Sequence, residues 1–242
     1  MNLLESLIEK VPKVPVDEVT IGVFSTLIKA GDLSGIASTL HTDKPHQRIP
    51  NSGQLRSYNL QELAKFSLDR NLITASIGVA AINCFHNSQK LKYRFKNAKE
   101  IILEKGKNLK VGVIGHFPFL SKMKPYFSEL YIFEKEPQTG DLSEIEIPRL
   151  LPQCEVVALT ATSITNHTFS KIMKYCSDNA FVIMLGPTTP LSPLLFDYGL
   201  DVIAGTIVED YEVFKRHVIE ATPTKYLKGK KFVILNKKDY LC

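Results

Sequence analysis

The stretch Lys110-Val-Gly-Val-Ile-Gly-His-Phe-Pro-Phe119 decides the fold. Val111, Val113 and Ile114 form a short apolar, β-branched run, Gly115 breaks it, and a helix-compatible segment begins near Phe119. A strand apolar on both faces, a tight loop and a helix make the start of a βαβ unit. Open α/β sheets bind ligands outside the carboxyl ends of their strands, so Gly115–Pro118 lies where chemistry is expected. The loop is not a dinucleotide fingerprint. If Gly115 is the tight-turn glycine, the second and third glycines would fall at Phe117 and Leu120. A Phe side chain blocks the backbone's approach to a pyrophosphate. Glu134 does lie about where a ribose-binding acid is found, roughly 20 residues on. The more specific signal is broken, which argues against NAD.

The same rhythm continues downstream. Strands are expected at Leu130–Phe133, Glu155–Thr160, Phe181–Leu185 and Val202–Ala204. Helices are expected at Phe119–Phe127, Thr168–Cys176, Leu191–Tyr198 and Tyr211–Glu220, with Phe232–Leu235 either adding an edge strand or packing on the other domain. Strands alternating with helices predict a doubly wound, Rossmann-like parallel sheet. The front half reads differently. Residues 2–10 have helical spacing, Val19–Ile28 and Leu33–Leu40 read as an antiparallel meander around the Ala30-Gly31-Asp32 turn, and Asn59 with Glu62 forms a capping-box pattern. Leu72–Phe85 is apolar nearly all round and predicts a buried helix. Gly22 and Gly35 suggest close backbone approach or a bulge. The expected organisation is a small α+β domain over residues 1–90 and a Rossmann-like domain over 91–242, with a long polar loop, His41–Tyr58, in the first.

Composition bounds the function. The chain has 242 residues, 44% hydrophobic and 23% charged, an ordinary globular balance. A net charge of +5 is mild, and the lysines gathered between Lys225 and Lys238 read as a solvated face, so no nucleic-acid partner is expected. Cys84, Cys154, Cys176 and Cys242 lack zinc-ligand or redox spacing and suit a reducing, cytoplasmic setting. The amino terminus carries Glu5 and Glu9 without an apolar signal core, and no apolar run is long enough to span a membrane. Paired carboxylates at a short fixed spacing, a Gly-x-Ser-x-Gly elbow and a Walker loop are absent, so hydrolase and phosphoryl-transfer signatures are missing.

Polar residues cluster at the strand ends. His116 follows the first strand of the parallel sheet, and Glu134 ends the second, ahead of Gly140-Asp141. Thr160, Thr162, Asn166 and His167 follow the third, and Gly186-Pro187-Thr188-Thr189-Pro190 follows the fourth. In a parallel sheet these ends share one edge, so His116, Glu134, Asn166, His167, Thr188 and Thr189 are expected around one pocket, with Asn83 reaching in from the front half. His116, His167 and Glu134 are the candidate ligands for a divalent transition metal, because imidazole and carboxylate suit borderline metals. Each also has a plainer role: Asn166 as an N-cap, His167 as a helix opener, Glu134 as a surface acid, Gly186-Pro187 as a turn. Asn83, inside an apolar helix, must find hydrogen-bond partners wherever it sits. His41 and His46 in the long loop are weaker candidates.

Several of these stretches carry a resemblance. Val113–Pro118, Leu151-Pro152, Thr165–Thr168 and above all Leu185–Gly199, continuing to Gly205, resemble the family described as putative heavy-metal chelation. Gly35–Ala37, Ser52–Leu55 and Gly78–Asn83 in the front half are also similar. One departure is the absence of Trp, which members often carry on the early strands. The resemblance implies a Rossmann-like domain preceded by an enolase-amino-terminal-like α+β domain, with a ligand site in the cleft between them. It implies a protein that chelates heavy metal or handles a metal chelator, with a small molecule or metal chelate as partner and room for a homo-oligomer. The alternative is an enzyme acting on a small anionic or nucleotide-like metabolite in the same cleft, with His116 or His167 as acid or base.

Overall fold

A computed structural model of the chain describes residues 2–41, 48–89 and 91–240. His46 and Cys242 lie outside the described residues. The front part opens with helix α1 (Leu3–Lys10), followed by strands β1 (Glu18–Ile21), β2 (Ser25–Ala30) and β3 (Leu33–Ser38) in an antiparallel meander. The β-rich run Val19–Ile28 is therefore two strands, not one, with a turn at Gly22–Phe24. Helix α2 (Leu60–Ala64) starts at the capping box read from the sequence: the Asn59 side chain accepts from the Glu62 N–H, and the Glu62 carboxylate accepts from the Asn59 N–H, both at 2.9 Å. Helix α3 (Leu72–His86) is buried on nearly every side. Alternation along β2 and β3 sorts the meander's faces. Ile28 and Ala37 join the cluster built around α3, while Leu27 and Ile36 pack on Phe214 and Val218 of the rear part. Gly35 lies so close to α3 that a Cβ there would be 2.0 Å from the Cys84 nitrogen, which accounts for glycine in that strand.

The rear part begins with α4 (Ala98–Gly106) and β4 (Lys110–Ile114). Then follow α5 (Leu120–Met123), β5 (Glu129–Glu134), β6 (Leu142–Ser143), α6 (Ile147–Leu150), β7 (Val156–Thr160), α7 (Thr162–Thr165) and α8 (Phe169–Met173). The chain ends with β8 (Phe181–Leu185), β9 (Val202–Val208), α9 (Tyr211–Ile219) and β10 (Lys230–Asn236). The segment read as a helix over Leu191–Tyr198 is a 3-10 stretch, Pro193–Tyr198, ended by Gly199 in the left-handed region.

These strands form one seven-stranded sheet of order β10-β9-β8-β7-β4-β5-β6, parallel except for β10. It is a doubly wound, Rossmann-like sheet, with the smaller antiparallel sheet beside it. Val111, Val113, Val156, Ala158 and Ile183 face α4 and α5. Ile114, Phe133, Val157, Leu159 and Met184 face the other way, into an apolar cluster that continues to Leu7, Leu63 and Ile77 of the front part. No helix among the described residues is long and apolar enough to cross a membrane.

Candidate functional site

The order reverses at β4, which pairs with β5 on one side and β7 on the other. Chains leaving these neighbours diverge to opposite faces, so a crevice opens at their carboxyl ends. A cavity of about 480 Å³ occupies it, and every lining residue comes from positions 114–175. This size is within the range of small-molecule sites.

Gly115, at φ +103°, turns the chain out of β4 while its N–H still donates to the Phe133 carbonyl at 3.0 Å. His116 follows at the rim. Its backbone N–H donates to Glu134 Oε1 at 2.6 Å, and its Nδ1 lies 2.9 Å from Asp141 Oδ2. Glu134 also accepts from the Lys135 N–H at 3.2 Å. On the β7 side, Thr160 and Thr162 join hydroxyls at 3.0 Å. The Asn166 side-chain oxygen accepts from the Thr168 N–H and hydroxyl, at 3.2 and 2.7 Å. Phe117, Phe133, Ile172 and Tyr175 give apolar wall, and Lys135 and Lys171 add positive charge at the mouth.

Three of the expected site residues, His116, Glu134 and Asn166, therefore line one cavity. The other four do not, and the expectation of a single pocket holding all seven is corrected on geometry. His167, at φ +61°, donates from Nε2 to the Asp69 carbonyl at 2.8 Å and ties α7 to the front part. Thr188 and Thr189 are fully buried in the seam between the two parts. Thr188 Oγ1 accepts from the Ser38 N–H at 2.9 Å, and its carbonyl accepts from Asn83 Nδ2 at 2.9 Å. Asn83 Nδ2 also donates to the Ile36 carbonyl at 2.7 Å. The Gly186–Pro190 loop thus meets the front part through hydrogen bonds, because buried carbonyls at a packed seam demand donors. The described part of the crevice is walled by the rear part alone, not by the cleft between the two.

The metal set His116, His167 and Glu134 does not assemble either. Among the described residues no three of His, Cys, Asp and Glu converge as a metal-holding group. The thiols add nothing to such a group: burial pushes Cys84 and Cys154 up to about 12 and Cys176 up to about 11, so each stays protonated at neutral pH. The residue that sequence reasoning passed over is Asp141. Its side chain is only 2% exposed beside a His116 that is 32% exposed. Gly140-Asp141 was visible as a strand-end pair, but the two-residue strand that follows it was not.

Fold and crevice together define a Rossmann-like protein with a cavity of small-molecule size at the switch point of its sheet. The chain belongs to the family described as putative heavy-metal chelation: one model of that description matches residues 97–235 and a second matches residues 4–85. Among solved structures it is similar to a family member of unknown function from Desulfitobacterium hafniense, at 29% identity and TM-score 0.87, over 97% of this chain and 98% of that one. A family member of unknown function from Pyrococcus horikoshii shares the fold at 22% identity and TM-score 0.80, over 96% and 97% of the two chains. An uncharacterized protein of Methanocaldococcus jannaschii is 26% identical over 178 residues, which is 71% of this chain and 69% of that one.

Proposed function

We propose that the protein handles metal in the form of a small-molecule chelate, bound in the crevice between the ends of β4, β5 and β7. The observation that carries this reading is a contrast. The crevice offers apolar wall, hydroxyls and the cations Lys135 and Lys171 beside the carboxylates Glu134 and Glu144, while the described residues provide no cluster of three metal ligands. Such a site suits an organic anion that brings its metal with it better than a bare ion, which needs several protein donors. The 1:1 complex of a divalent metal with a tricarboxylate such as citrate is anionic, and Lys135 and Lys171 are the cations such a ligand can meet. The division into units at residues 1–90 and 91–242 forms part of the same proposal, with the second unit holding the ligand.

NAD and NADP do not fit the proposed site. Phe117 stacks on Phe119 with centroids 5.6 Å apart, at the position where backbone would need to approach a pyrophosphate. The second reading, an enzyme acting on a small anionic or nucleotide-like metabolite, draws on the His116–Asp141 pair at the rim. One assay separates the two. Thermal unfolding is followed with nickel, copper and zinc as free ions, as citrate and malonate complexes, and with a nucleotide panel. A ligand at 100 times its Kd adds about 2.7 kcal/mol, or roughly 5–10 °C for a chain of this size. That shift is expected with the chelates, and Lys171→Glu should reduce it. An equal saturable shift from the free ions refutes the chelate reading, and a shift from nucleotides alone favours the enzyme.

A further inference from the structure

We propose that His116 supplies one imidazole ligand, through Nε2, to the metal of the bound chelate, and that Asp141 is its positioning residue. The inference rests on the chelate reading of the crevice and adds the atom by which the protein reads the metal.

The argument begins with proton inventory. An ionised carboxylate only accepts hydrogen bonds. Both oxygens of Asp141 lie within reach of His116 Nδ1, at 2.9 and 3.2 Å, so the ring proton of the neutral imidazole sits on Nδ1. The lone pair is then on Nε2, for which no hydrogen bond is present among the described residues. The other described histidines differ. His41, His86 and His167 each commit Nε2 to a backbone carbonyl, of Val23, Leu7 and Asp69 respectively. A carbonyl requires the proton on that nitrogen, which removes it as a metal ligand. His217 engages the Thr222 hydroxyl through Nδ1 and lies on α9, away from the crevice.

The position of His116 is fixed at two points. Glu134 holds its backbone N–H, and Asp141 holds its ring. Asp141 is in turn fixed by the turn it closes, where Oδ2 accepts from the Gln138 N–H at 3.2 Å and its own N–H donates to the Gln138 carbonyl at 2.9 Å. A carboxylate behind an imidazole fixes its tautomer and raises its basicity, as behind metal-bound histidines generally. A single neutral imidazole is a weak site for a bare ion. It is enough to select, among anionic ligands of one size, those whose metal keeps a coordination position open. The step is ligand exchange: a metal–Nε2 bond forms, a metal-bound water leaves, and no electron or proton is transferred.

The test uses the 1:1 copper(II) citrate complex, an anion whose donors are all oxygen, so nitrogen hyperfine coupling in its electron paramagnetic resonance spectrum must come from the protein. The full-length chain is expected to bind the complex and show coupling to one imidazole nitrogen, altered by histidine labelled with nitrogen-15. His116→Gln should abolish the coupling. Asp141→Asn should keep it while weakening the complex by roughly 10–100-fold, the usual effect of losing such a partner. A bound complex without nitrogen coupling in the unmutated chain overturns the inference and leaves the chelate reading standing. So does coupling that survives His116→Gln. Failure of the unmutated chain to bind any chelate overturns the chelate reading and this inference with it.

Discussion

Asn87 offers the most decisive perturbation of the seam behind the crevice. Its side chain is buried and makes three hydrogen bonds across the two parts of the chain. Nδ2 donates to the carbonyls of Thr189 and Thr206, both at 3.1 Å, and Oδ1 accepts from the Leu191 N–H at 2.7 Å. Asn87→Leu keeps much of the volume and removes all three partners. Each buried backbone group left unpaired costs about 1–3 kcal/mol. Local relaxation recovers part of the sum, so the expected loss is roughly 4 kcal/mol, a large share of the roughly 5–15 kcal/mol that domains possess. Asn97 is the internal control: it is exposed and caps α4 through a 3.1 Å bond from the Lys99 N–H. Asn97→Ala should cost about 1 kcal/mol. Urea titration of both variants, read as midpoint shifts at unchanged slope, gives the comparison. Equal losses of about 1 kcal/mol would refute the account of the seam as a hydrogen-bonded clamp.

Two further outcomes are expected. Gly78→Ala, which would stabilise an exposed helix by about 1 kcal/mol, should instead destabilise this one by about 2 kcal/mol or more through overpacking, because the new Cβ would lie 1.8 Å from the Ser67 nitrogen; a gain in urea resistance would count against it. Burial holds His86 below the ordinary histidine range, against an opposing hydrogen bond to the Leu7 carbonyl. The unfolded chain therefore takes up its proton first as pH falls through about 6.5, so the contribution is complete above that pH and lost below it. Melting temperatures from pH 7.5 to 5 should fall more steeply for the unmutated protein than for His86→Gln, and parallel curves would contradict the sign.

The fold was legible where burial alone sets the pattern. Phe181–Leu185 is apolar throughout because it is covered on both faces, and α3 could be read from an apolar run bounded by Asn71 and polar residues after His86. The split of Val19–Ile28 was hidden because the turn between the two strands uses Val23 and Phe24, apolar residues that stand 55% and 43% exposed. The helix read over Leu191–Tyr198 fails at Pro193, where the chain tightens into 3-10 geometry. In the site, sheet topology was enough to place His116 and Glu134. Thr188, Thr189 and Asn83 have the same polarity and the same topological claim, yet they satisfy backbone groups across the seam. Residue type cannot distinguish a polar group that waits for a ligand from one already matched within the chain. That distinction depends on tertiary neighbours such as Ser38 and Ile36.

The ends of the large sheet have a consequence for how molecules of this protein can meet. At one end the connector leading into α4 lies against β10, and Arg94 and Ile234 exchange both backbone hydrogen bonds at 2.9 Å. At the other end β6 is only two residues long. Exposed strand edges are templates on which a second chain can add. Here one edge is taken in part by the chain's own connector, and at the other β6 covers only Phe133 and Glu134 of β5, leaving Glu129–Ile132 without a strand partner on that side among the described residues. A second copy adding to this sheet would meet an obstacle at β10 and only a short opening along β5. The same connector that joins the two parts thus occupies part of the edge on which a further strand could add.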